Sequence, residues 1–561
     1  MYWQWSIIAA AATLLASLAP REFRGTTQRA PVPCLASTTN GDVQGIDNNS
    51  ASCSFLGIPY AAPPTLTNRW KPPLPAAPWA GVRSATTPPP SCPTVQANGM
   101  LAVNEDCLQL NVWVKTLAPN TPAPVLVWFH TGGFISASAN FAGTRGQRLA
   151  EETGIIVVEP NYRLGPLGFL AHRALESEDA AHPSAGNYGL LDQRAALEWV
   201  RANIANFGGD PNNITIGGSS AGGHSVGLQL ISPGSAGLFH GAIIQSAFPT
   251  SRAATRDEAF AQGDVFAARL GCTDPSLVLA CLRSQTAAQL LTALPPFSLQ
   301  VLEPVNQFFW WPTVDGLVIP DQPRTLFEQG DFHHVPTLLG TNRDEGWIFT
   351  TRSFSQGVSA AQHDTWVIGE FGNAAQEVFN AYPAANFATP QQAMAKIAGD
   401  GQYVCETRRL ADLIADGGLR GRGPHEDQGT GQRVKVPVFL YSYEYVLAEP
   451  TLPQVIHGAE SNIVFGNNFV APVFPVNHAL NAADQEMHAI TAGYWSRFVQ
   501  AGNPNGSEGP EWPVYQKNHE SHMIFDNSGA VPALEHKDES CAFWSGFFFR
   551  SLLGDVPAAT P

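Results

Sequence analysis

The sequence predicts an α/β protein built on a large, mostly parallel central sheet flanked by helices. Short, continuous apolar runs typical of strands buried on both faces recur along the chain, and segments with helical spacing lie between them. The runs are 124–129, 155–158, 213–216, 335–340 and 436–443. The segment Leu190 to Ile204 has apolar residues at helical spacing and a breaker, Gly208-Gly-Asp210, just beyond it. Helices and strands therefore alternate as a parallel sheet requires.

Composition and charge restrict the classes of partner. The chain has 561 residues, 44% of them apolar, and a formal net charge of -16. It has no long basic block, so nucleic acid and anionic membrane surfaces are repelled rather than attracted. Beyond the N-terminus no apolar run is long enough to span a bilayer, which argues against stable membrane insertion. Small neutral or apolar molecules are the expected substrates.

The N-terminus has the features of a secretory signal peptide. Ser6 to Ala19 is apolar, ends in small residues and is too short for a transmembrane helix. Met1 to Trp5 carries no Lys or Arg, so an uncleaved hydrophobic anchor is the alternative. The expectation is a signal peptide over residues 1–19 and a secreted, extracellular protein. Sequons compatible with N-glycosylation lie at Asn48, Asn213 and Asn505.

Eight cysteines support export, since an even number with local pairs is expected where disulfides form. Two pairs would close small loops, one flanks a predicted hairpin through Asn40-Gly41, and a long-range pair would tie the C-terminal end to the body. In that order the pairs are Cys92 with Cys107, Cys272 with Cys281, Cys34 with Cys53, and Cys405 with Cys541. The sequence does not fix this connectivity, and buried free thiols are the alternative.

The most informative motif is Gly218-Ser-Ser-Ala-Gly222, a G-x-S-x-G pattern between a predicted strand and a segment of helical spacing, Ala221 to Ile231. In such a turn the nucleophile occupies strained backbone angles, and small flanking residues give it room. Ser220 is therefore a candidate nucleophile, and Ser219 would point away from the apex. In a chain with 51 glycines, the motif alone is equally consistent with a structural turn.

A serine nucleophile needs a histidine base and a carboxylate that orients the base. In this kind of turn the chain order is serine, acid, histidine. A predicted strand leads into the segment that contains Asp344 and Glu345, and a later loop contains His457. Glu460, in the same loop as His457, is expected to be a buried, hydrogen-bonded carboxylate rather than a catalytic one.

The oxyanion of the tetrahedral intermediate needs hydrogen-bond donors. The segment Phe129 to Phe134 follows a predicted strand and offers the backbone amides of Gly132 and Gly133. The amide of Ala221, next to the candidate nucleophile, would converge with them. Two histidines near these motifs, His130 and His224, are expected to orient loops or line the edge of the site rather than act as the base.

Further motifs, in order along the chain, resemble those of the type-B carboxylesterase/lipase family, the cholinesterase-related branch of the α/β-hydrolases. The resemblance extends from about residue 30 to residue 550. The segments that carry it are Phe55 to Ala61, Arg69-Trp70, Glu105 to Val112, Asn161 to Gly165 and Asn187 to Gln193. Many ordered motifs in one chain are far more specific than any one of them.

The resemblance implies an α/β-hydrolase fold in one catalytic domain, residues 20–561. It also implies a serine carboxylesterase that works through an acyl-enzyme and needs neither cofactor nor metal. By motif position, the implied triad is Ser220, Glu345 and His457, with Glu345 preferred to Asp344. The implied oxyanion hole is Gly132, Gly133 and Ala221. The implied disulfides are Cys92 with Cys107, Cys272 with Cys281, and Cys405 with Cys541.

Departures from the family pattern bear on the substrate. Thr131 replaces the first glycine of an H-G-G-G-F motif, and its branched side chain restricts the loop. Ser219 replaces the glutamate usual before the nucleophile, which weakens attraction for cationic substrates. The loop between Cys92 and Cys107 has no aromatic residue for a cation–π contact, which disfavours a cholinesterase. The cluster Phe308-Phe-Trp-Trp311 either forms part of an acyl-side wall or packs in the core.

The first hypothesis is therefore a secreted serine esterase that acts on soluble, neutral esters. A lipase of the same family is the alternative, disfavoured because the loop between Cys92 and Cys107 is short for a lid. A tailoring esterase or acyltransferase that acts on a secondary metabolite would use the same residues. A catalytically silent binding protein on this fold is disfavoured by the intact candidates for all three triad positions.

Overall fold

The structure is a computed structural model, and the described residues are 34–552 without several short segments. The segments left out are residues 50, 97–98, 295–309, 355, 418–434, 448–453 and 471–476. The predicted signal peptide over residues 1–19 lies outside the described residues. Phe308 and Phe309 of the aromatic cluster also lie outside them.

The strands are numbered in chain order. They are β1 Leu35–Thr38, β2 Gly41–Gln44, β3 Ile46–Asp47, β4 Cys53–Pro59, β5 Val82–Ser84, β6 Thr94–Val95, β7 Leu101–Ala102, β8 Gln109–Val114, β9 Ala123–Phe129, β10 Ile156–Pro160, β11 Gly209–Ser219, β12 Gly241–Gln245, β13 Thr337–Asn342, β14 Val438–Tyr443, β15 Phe469–Val470, β16 Asn477–His478, β17 His522–Asp526 and β18 Gly529–Ala533. The five strands expected from apolar runs correspond to β9, β10, β11, β13 and β14.

The helices are numbered in the same way. They are α1 Gln147–Thr153, α2 Gly165–Phe169, α3 Arg173–Glu176, α4 Tyr188–Asn203, α5 Ala221–Ile231, α6 Arg256–Arg269, α7 Val278–Ser284, α8 Ala287–Thr292, α9 Pro323–Gln329, α10 Trp347–Ser353, α11 Ala360–Phe371, α12 Ala375–Ala381, α13 Pro390–Gly399, α14 Cys405–Ala415, α15 Ala459–Val464, α16 Ala482–Ala501 and α17 Asp538–Leu552. Within the described part of the chain, no helix combines the length and hydrophobicity needed to cross a bilayer.

One 11-stranded sheet runs through the molecule, in the spatial order β18-β17-β14-β13-β12-β11-β9-β10-β8-β4-β3. Neighbouring strands pair in parallel from β17 across to β10. The pairs at the two margins, beyond β10 and beyond β17, are antiparallel. The predicted α/β fold with a large, mostly parallel sheet is confirmed.

Strand β9 explains why a continuous apolar run forms a strand here. Side chains alternate between the two faces of a strand, so a strand covered on both faces needs apolar residues at every position. Val125, Val127 and Phe129 pack in the core on one face. Leu126 and Trp128 pack in the core on the other face. Helices thus cover both faces of the sheet and leave the strand ends free to carry polar loops.

Four disulfides use all eight cysteines. The pairs are Cys34–Cys53, Cys92–Cys107, Cys272–Cys281 and Cys405–Cys541. The first brackets the expected hairpin, because β1 and β2 pair antiparallel with Thr38 opposite Gly41. Disulfides form and persist in oxidising compartments, so the folded chain belongs outside the cytosol.

Parallel strands bring distant segments of sequence to one edge of the sheet. The glycine loop after β9, the turn after β11 and the acidic segment after β13 all follow the carboxyl ends of neighbouring parallel strands. In open α/β sheets, this edge is where ligands bind.

Candidate active site

Ser220 occupies the sharp turn between β11 and α5, with φ 58° and ψ -123°. This conformation is strained for a residue other than glycine. The neighbouring glycines are required by close packing. A Cβ atom on Gly218 would lie 2.4 Å from the carbonyl carbon of Gly222, and one on Gly222 would lie 2.0 Å from the carbonyl oxygen of Phe129. The amide of Ser220 donates to the Gln245 carbonyl at 2.9 Å, which fastens the turn to β12.

Glu345 and His457 form a buried pair although they are 112 positions apart in the sequence. His457 Nδ1 donates to Glu345 Oε2 at 2.5 Å, and Glu345 Oε1 accepts the amide of Asn342 at 2.7 Å. Glu345 is fully buried, and His457 is 9% exposed. The other ring nitrogen, His457 Nε2, has no hydrogen-bond partner among the described residues. The imidazole is thus held on one side and free to exchange a proton on the other.

Asp344, the alternative acid, has different partners. Its Oδ2 accepts from Arg343 Nη2 at 2.8 Å and from the amide of Val455 at 2.8 Å. Its own amide donates to the carbonyl of Val455 at 3.0 Å. Asp344 therefore fastens the loop that carries His457 to the end of β13. Glu345 is the carboxylate that contacts the imidazole.

The glycine loop after β9 has an unusual backbone. Gly132 and Gly133 have φ values of 116° and 62°. The carbonyl of Gly132 turns into the loop, where it accepts the amides of Ile135 at 3.1 Å and Ser136 at 3.0 Å. A Cβ atom on Gly132 would lie 2.2 Å from the Ser136 carbonyl oxygen, so the loop needs glycine there. The Ala221 amide begins α5, where helix geometry leaves the first amides without an intrahelical acceptor.

The start of α5 packs directly against the base of the glycine loop. An added Cβ on Gly222 would meet the carbonyl oxygens of Phe129 at 2.0 Å and His130 at 3.0 Å. His130 Nδ1 donates to the Thr131 carbonyl at 2.8 Å, and its ring stacks on Tyr162 with 4.2 Å between centroids. Burial lowers the pKa of His130 to about 4, so the ring is neutral at neutral pH. His130 is therefore held against the backbone of the glycine loop by this hydrogen bond.

Glu460 is a second buried carboxylate beside the pair. Its Oε1 accepts from Ser246 Oγ at 3.1 Å and from the Tyr441 hydroxyl at 3.2 Å, and its Oε2 accepts from Asn342 Nδ2. Burial, followed by the charge of Glu345, raises the pKa of Glu460 to about 7. Asn342 therefore contacts both carboxylates, one through its backbone amide and the other through its side chain.

A chain of aromatic rings extends from His457. The imidazole lies 5.2 Å from the ring of Phe349 and 4.9 Å from that of Tyr403, measured between centroids. Tyr403 contacts Phe248 at 5.0 Å, and Phe248 stacks on Trp311 at 5.7 Å. Trp311 is buried and belongs to the same core cluster as Phe248.

His224 lies one helical turn beyond Ser220 in α5, and its amide donates to the Ser220 carbonyl at 2.8 Å. Its ring is surrounded by aromatic side chains, with centroid distances of 4.7 Å to Trp311, 5.3 Å to Phe248 and 6.0 Å to Phe134. Burial lowers the pKa of His224 to about 3, which keeps the imidazole neutral. Its Nδ1 has no hydrogen-bond partner among the described residues.

Ser219, the residue before Ser220, is less exposed to solvent than Ser220. Ser219 is buried, and its Oγ has no hydrogen-bond partner in the described part of the chain, whereas Ser220 is half-buried. An added Cβ on Gly458, beside His457, would lie 3.7 Å from Ser219 Oγ. A neutral side chain therefore occupies the position between the turn at Ser220 and the loop that carries His457.

Sequence reasoning missed four residues that contact the expected triad or its neighbours: Asn342, Ser246, Tyr403 and Phe349. Asn342 lies in the same short segment as Glu345, so an amide beside a candidate acid was a usable signal. The others are distant in sequence, and no local pattern marks them. Within the described ranges, no group of three or more His, Cys, Asp or Glu side chains is arranged to hold a metal ion.

The side-chain nitrogens of the sequon asparagines all donate hydrogen bonds. Asn48 Nδ2 donates to both Ser52 Oγ and Ser54 Oγ at 2.8 Å, and Asn213 Nδ2 donates to the Gln500 carbonyl at 2.9 Å. Asn505 Nδ2 donates to the carbonyl of Trp512 at 2.9 Å. A glycosylated amide keeps one N–H, so the contacts of Asn213 and Asn505 are compatible with modification, whereas Asn48 would keep one of its two contacts.

The sheet and the turn at Ser220 define the class of protein. A mostly parallel sheet whose strand turns sharply into a helix through a G-x-S-x-G serine is the α/β-hydrolase arrangement. A profile of the carboxylesterase family matches residues 33–544. The chain therefore belongs to the carboxylesterase family, and it is a serine hydrolase of carboxylic esters.

Relatives with different substrates resemble the chain to the same degree. Acetylcholinesterase from Electrophorus electricus is 32% identical over 585 residues, which covers 92% of this chain and 88% of the relative. Carboxylesterase 1D from Rattus norvegicus is 32% identical over 91% of this chain and 93% of its own length. Fumonisin B1 esterase from Sphingopyxis macrogoltabida is 32% identical over 86% of this chain and 85% of its own length. Identity alone does not select a substrate.

Proposed function

We propose that this protein hydrolyses soluble, neutral carboxylic esters through an acyl-enzyme on Ser220. The observation that carries the proposal is the buried hydrogen bond between Glu345 and His457, at 2.5 Å, in a fold whose strained turn carries Ser220. A carboxylate on Nδ1 selects the tautomer whose Nε2 can accept a proton, and it stabilises the imidazolium that forms. Family membership supports the same chemistry.

The reaction follows from these roles. His457 Nε2 accepts the proton of Ser220 Oγ as the oxygen forms a bond to the ester carbonyl carbon. The carbonyl oxygen becomes an oxyanion that accepts hydrogen bonds from the amides of Gly132, Gly133 and Ala221. The C–O bond to the alcohol then breaks, and the imidazolium returns its proton to the leaving oxygen. Water repeats the sequence on the acyl-enzyme, releasing the acid and regenerating the serine.

The test compares the two neighbouring serines. Ser220→Ala should lower kcat on a p-nitrophenyl butyrate assay by about 10⁴-fold or more and abolish labelling by a fluorophosphonate probe. Ser219→Ala is the matched control and should keep both, because its hydroxyl is buried beside the turn. Full activity in Ser220→Ala would contradict the proposal, and so would failure of the probe to label an active wild-type enzyme.

The low negative charge of the side chains near Ser220 supports a preference for neutral esters. Ser219 brings no charge to the position before the nucleophile. The pKa of Glu460 is about 7, so its carboxyl is largely protonated and neutral below that pH. The loop closed by Cys92 and Cys107 supplies no aromatic ring for a quaternary ammonium group. A cationic alcohol group of an ester should therefore bind no more tightly than a neutral one of the same shape.

Butyrylcholine and 3,3-dimethylbutyl butyrate test this preference, since they differ by one charge at constant shape. We expect kcat/KM for the neutral ester to equal or exceed that for the choline ester. A preference of about tenfold or more for butyrylcholine, or about 1.4 kcal/mol, would show an unrecognised cation site. Measuring the neutral ester with and without micelles separates an esterase from a lipase, because only a lipase gains activity at the interface.

The export expectation is part of the proposal. We expect removal of residues 1–19 and folding of residues 20–561 as one catalytic domain in an oxidising compartment. The four disulfides support the compartment. N-terminal sequencing of protein from the culture medium and a mass shift on deglycosylation at Asn48, Asn213 or Asn505 test it. An intact Met1 on the mature protein would contradict cleavage.

A further inference from the structure

A single π-turn, Asp400–Val404, interrupts the path between α13 and α14. One extra residue in a helical turn rotates the following side chains by about 100° relative to an uninterrupted helix. Such turns are rare and occur frequently at functional sites. The turn therefore places its residues in directions that a continuous helix would not.

Contacts with surrounding elements fix this turn. Asp400 accepts from Lys396 Nζ at 2.5 Å and from the Tyr382 hydroxyl at 3.1 Å. That hydroxyl in turn accepts from Trp544 Nε1 at 2.8 Å, in the C-terminal helix α17. Directly after the turn, Cys405 forms the disulfide that reaches α17. Irregular backbone persists where its surroundings determine it, and here polar contacts and a covalent link do so.

The side chain that the turn presents to the site is Tyr403. Its ring lies 4.9 Å from the imidazole of His457 and stacks on Phe349 at 5.6 Å, with 13° between the planes. Phe349 itself contacts His457 at 5.2 Å. On its other side Tyr403 meets Phe248 edge to face at 5.0 Å. Tyr403 is 1% exposed, so its ring is confined by these neighbours.

The imidazole needs such a constraint. His457 has one hydrogen bond through Nδ1, and its reacting Nε2 has no partner among the described residues. A single hydrogen bond allows the ring plane to tilt about the bond axis. Contacts with two aromatic rings remove that freedom, and proton transfer is sensitive to small errors in position.

We propose that Tyr403 is a positioning residue whose ring holds the imidazole of His457 in the orientation that both proton transfers require. This inference rests on the proposed function, because it assigns the base to His457. It extends that function by assigning a role to the π-turn and, through the Cys405–Cys541 disulfide, to helix α17. The ring acts by packing, so phenylalanine should replace it and an aliphatic residue should not.

The experiment uses three variants of the full-length enzyme on 3,3-dimethylbutyl butyrate. Tyr403→Leu should lower kcat by about 10- to 100-fold with KM changed by less than about threefold, because the substrate still binds but the base is misplaced. Tyr403→Phe should keep kcat within about threefold of the wild type. Tyr494→Leu is the matched control, since Tyr494 is also 1% exposed and its ring contacts Trp512 and Phe525 rather than His457.

The outcomes separate a positioning role from general destabilisation. If Tyr494→Leu lowers kcat as much as Tyr403→Leu at equal loss of thermal stability, general destabilisation explains the effect and the inference is overturned. Equal losses in Tyr403→Phe and Tyr403→Leu would assign the effect to the hydroxyl and overturn it as well. An unchanged kcat in Tyr403→Leu also overturns it. Failure of the proposed function is recognised separately, since Ser220→Ala would then remain active.

Discussion

The turn around Ser220 and the pair formed by Glu345 and His457 are built in different ways. The turn is a contiguous segment whose shape is set by backbone contacts, the tightest being at Gly218 and Gly222. The pair joins residues 112 positions apart through buried hydrogen bonds. The first region therefore depends on shape and the second on charge and proton position. Substitutions in the two regions should therefore lower activity by different mechanisms.

The largest effect is expected where charge is removed without a change of shape. Glu345→Gln should lower kcat on a neutral ester by about 10³- to 10⁴-fold, because an amide no longer selects the working tautomer of His457. The fold should be retained, as judged by circular dichroism. Asp344→Asn is the control, and we expect a loss of about tenfold or less, since its Oδ2 contacts the Val455 amide rather than the imidazole. A larger loss in Asp344→Asn would reverse the assignment of the acid.

An effect of shape is expected at the turn. Gly222→Ala should destabilise the protein by about 3 kcal/mol and lower kcat/KM by about 100-fold, because its Cβ would lie 2.0 Å from the Phe129 carbonyl oxygen. Gly369→Ala is the matched control: Gly369 is also helical, but an added Cβ meets nothing within 4 Å among the described residues. It should stabilise the protein by about 0.5–1 kcal/mol. Thermal and urea unfolding measure both, and equal behaviour of the two variants would contradict the packing account.

A smaller, pH-dependent effect is expected at Glu460. Because its pKa rises in the folded state from 4.5 to about 7, its protonated form contributes stability fully below pH 4.5. That contribution is lost as the pH rises through about 7. Glu460→Gln should therefore weaken the pH dependence of the free energy of unfolding between pH 5 and pH 8 by about 2 to 3 kcal/mol. Urea unfolding across this range measures it.

Ser219→Ala serves as the control for the pH experiment, because it alters the turn without removing a titratable group. Its pH dependence should match the wild type. If Glu460→Gln also matches the wild type, the carboxyl does not titrate in this range. The second region would then not depend on charge in the way described above.

Local sequence predicts the turn well and the pair only in part. The apolar runs that become β9 and β11 and the helix Ala221–Ile231 are visible because burial on both faces and helical spacing leave a pattern in the chain. Strand β11 begins at Gly209, earlier than the run predicts, because pairing with β9 resumes across a register shift between Gly209 and Ile214. Backbone pairing of this kind has no side-chain signature.

The contacts around His457 depend on the directions in which side chains point, and local sequence patterns do not reveal those directions. Asp344 and Glu345 are adjacent, and nothing in their chemistry says which carboxylate faces the imidazole; the resemblance to a family supplied that choice. Tyr403, whose ring contacts His457, lies in a π-turn that changes the helical register by one residue. A one-residue irregularity fixed by distant contacts is invisible to any reading of periodicity.

The backbone of Ser220 has a consequence for engineering this enzyme. Its φ of 58° is a conformation that glycine adopts freely and serine adopts at a cost of roughly 1–3 kcal/mol. Ser220→Gly would relieve that cost and remove the hydroxyl in the same step. Selection for survival at high temperature alone would therefore enrich inactive molecules at this position, so any library must be screened for turnover as well as for heat resistance.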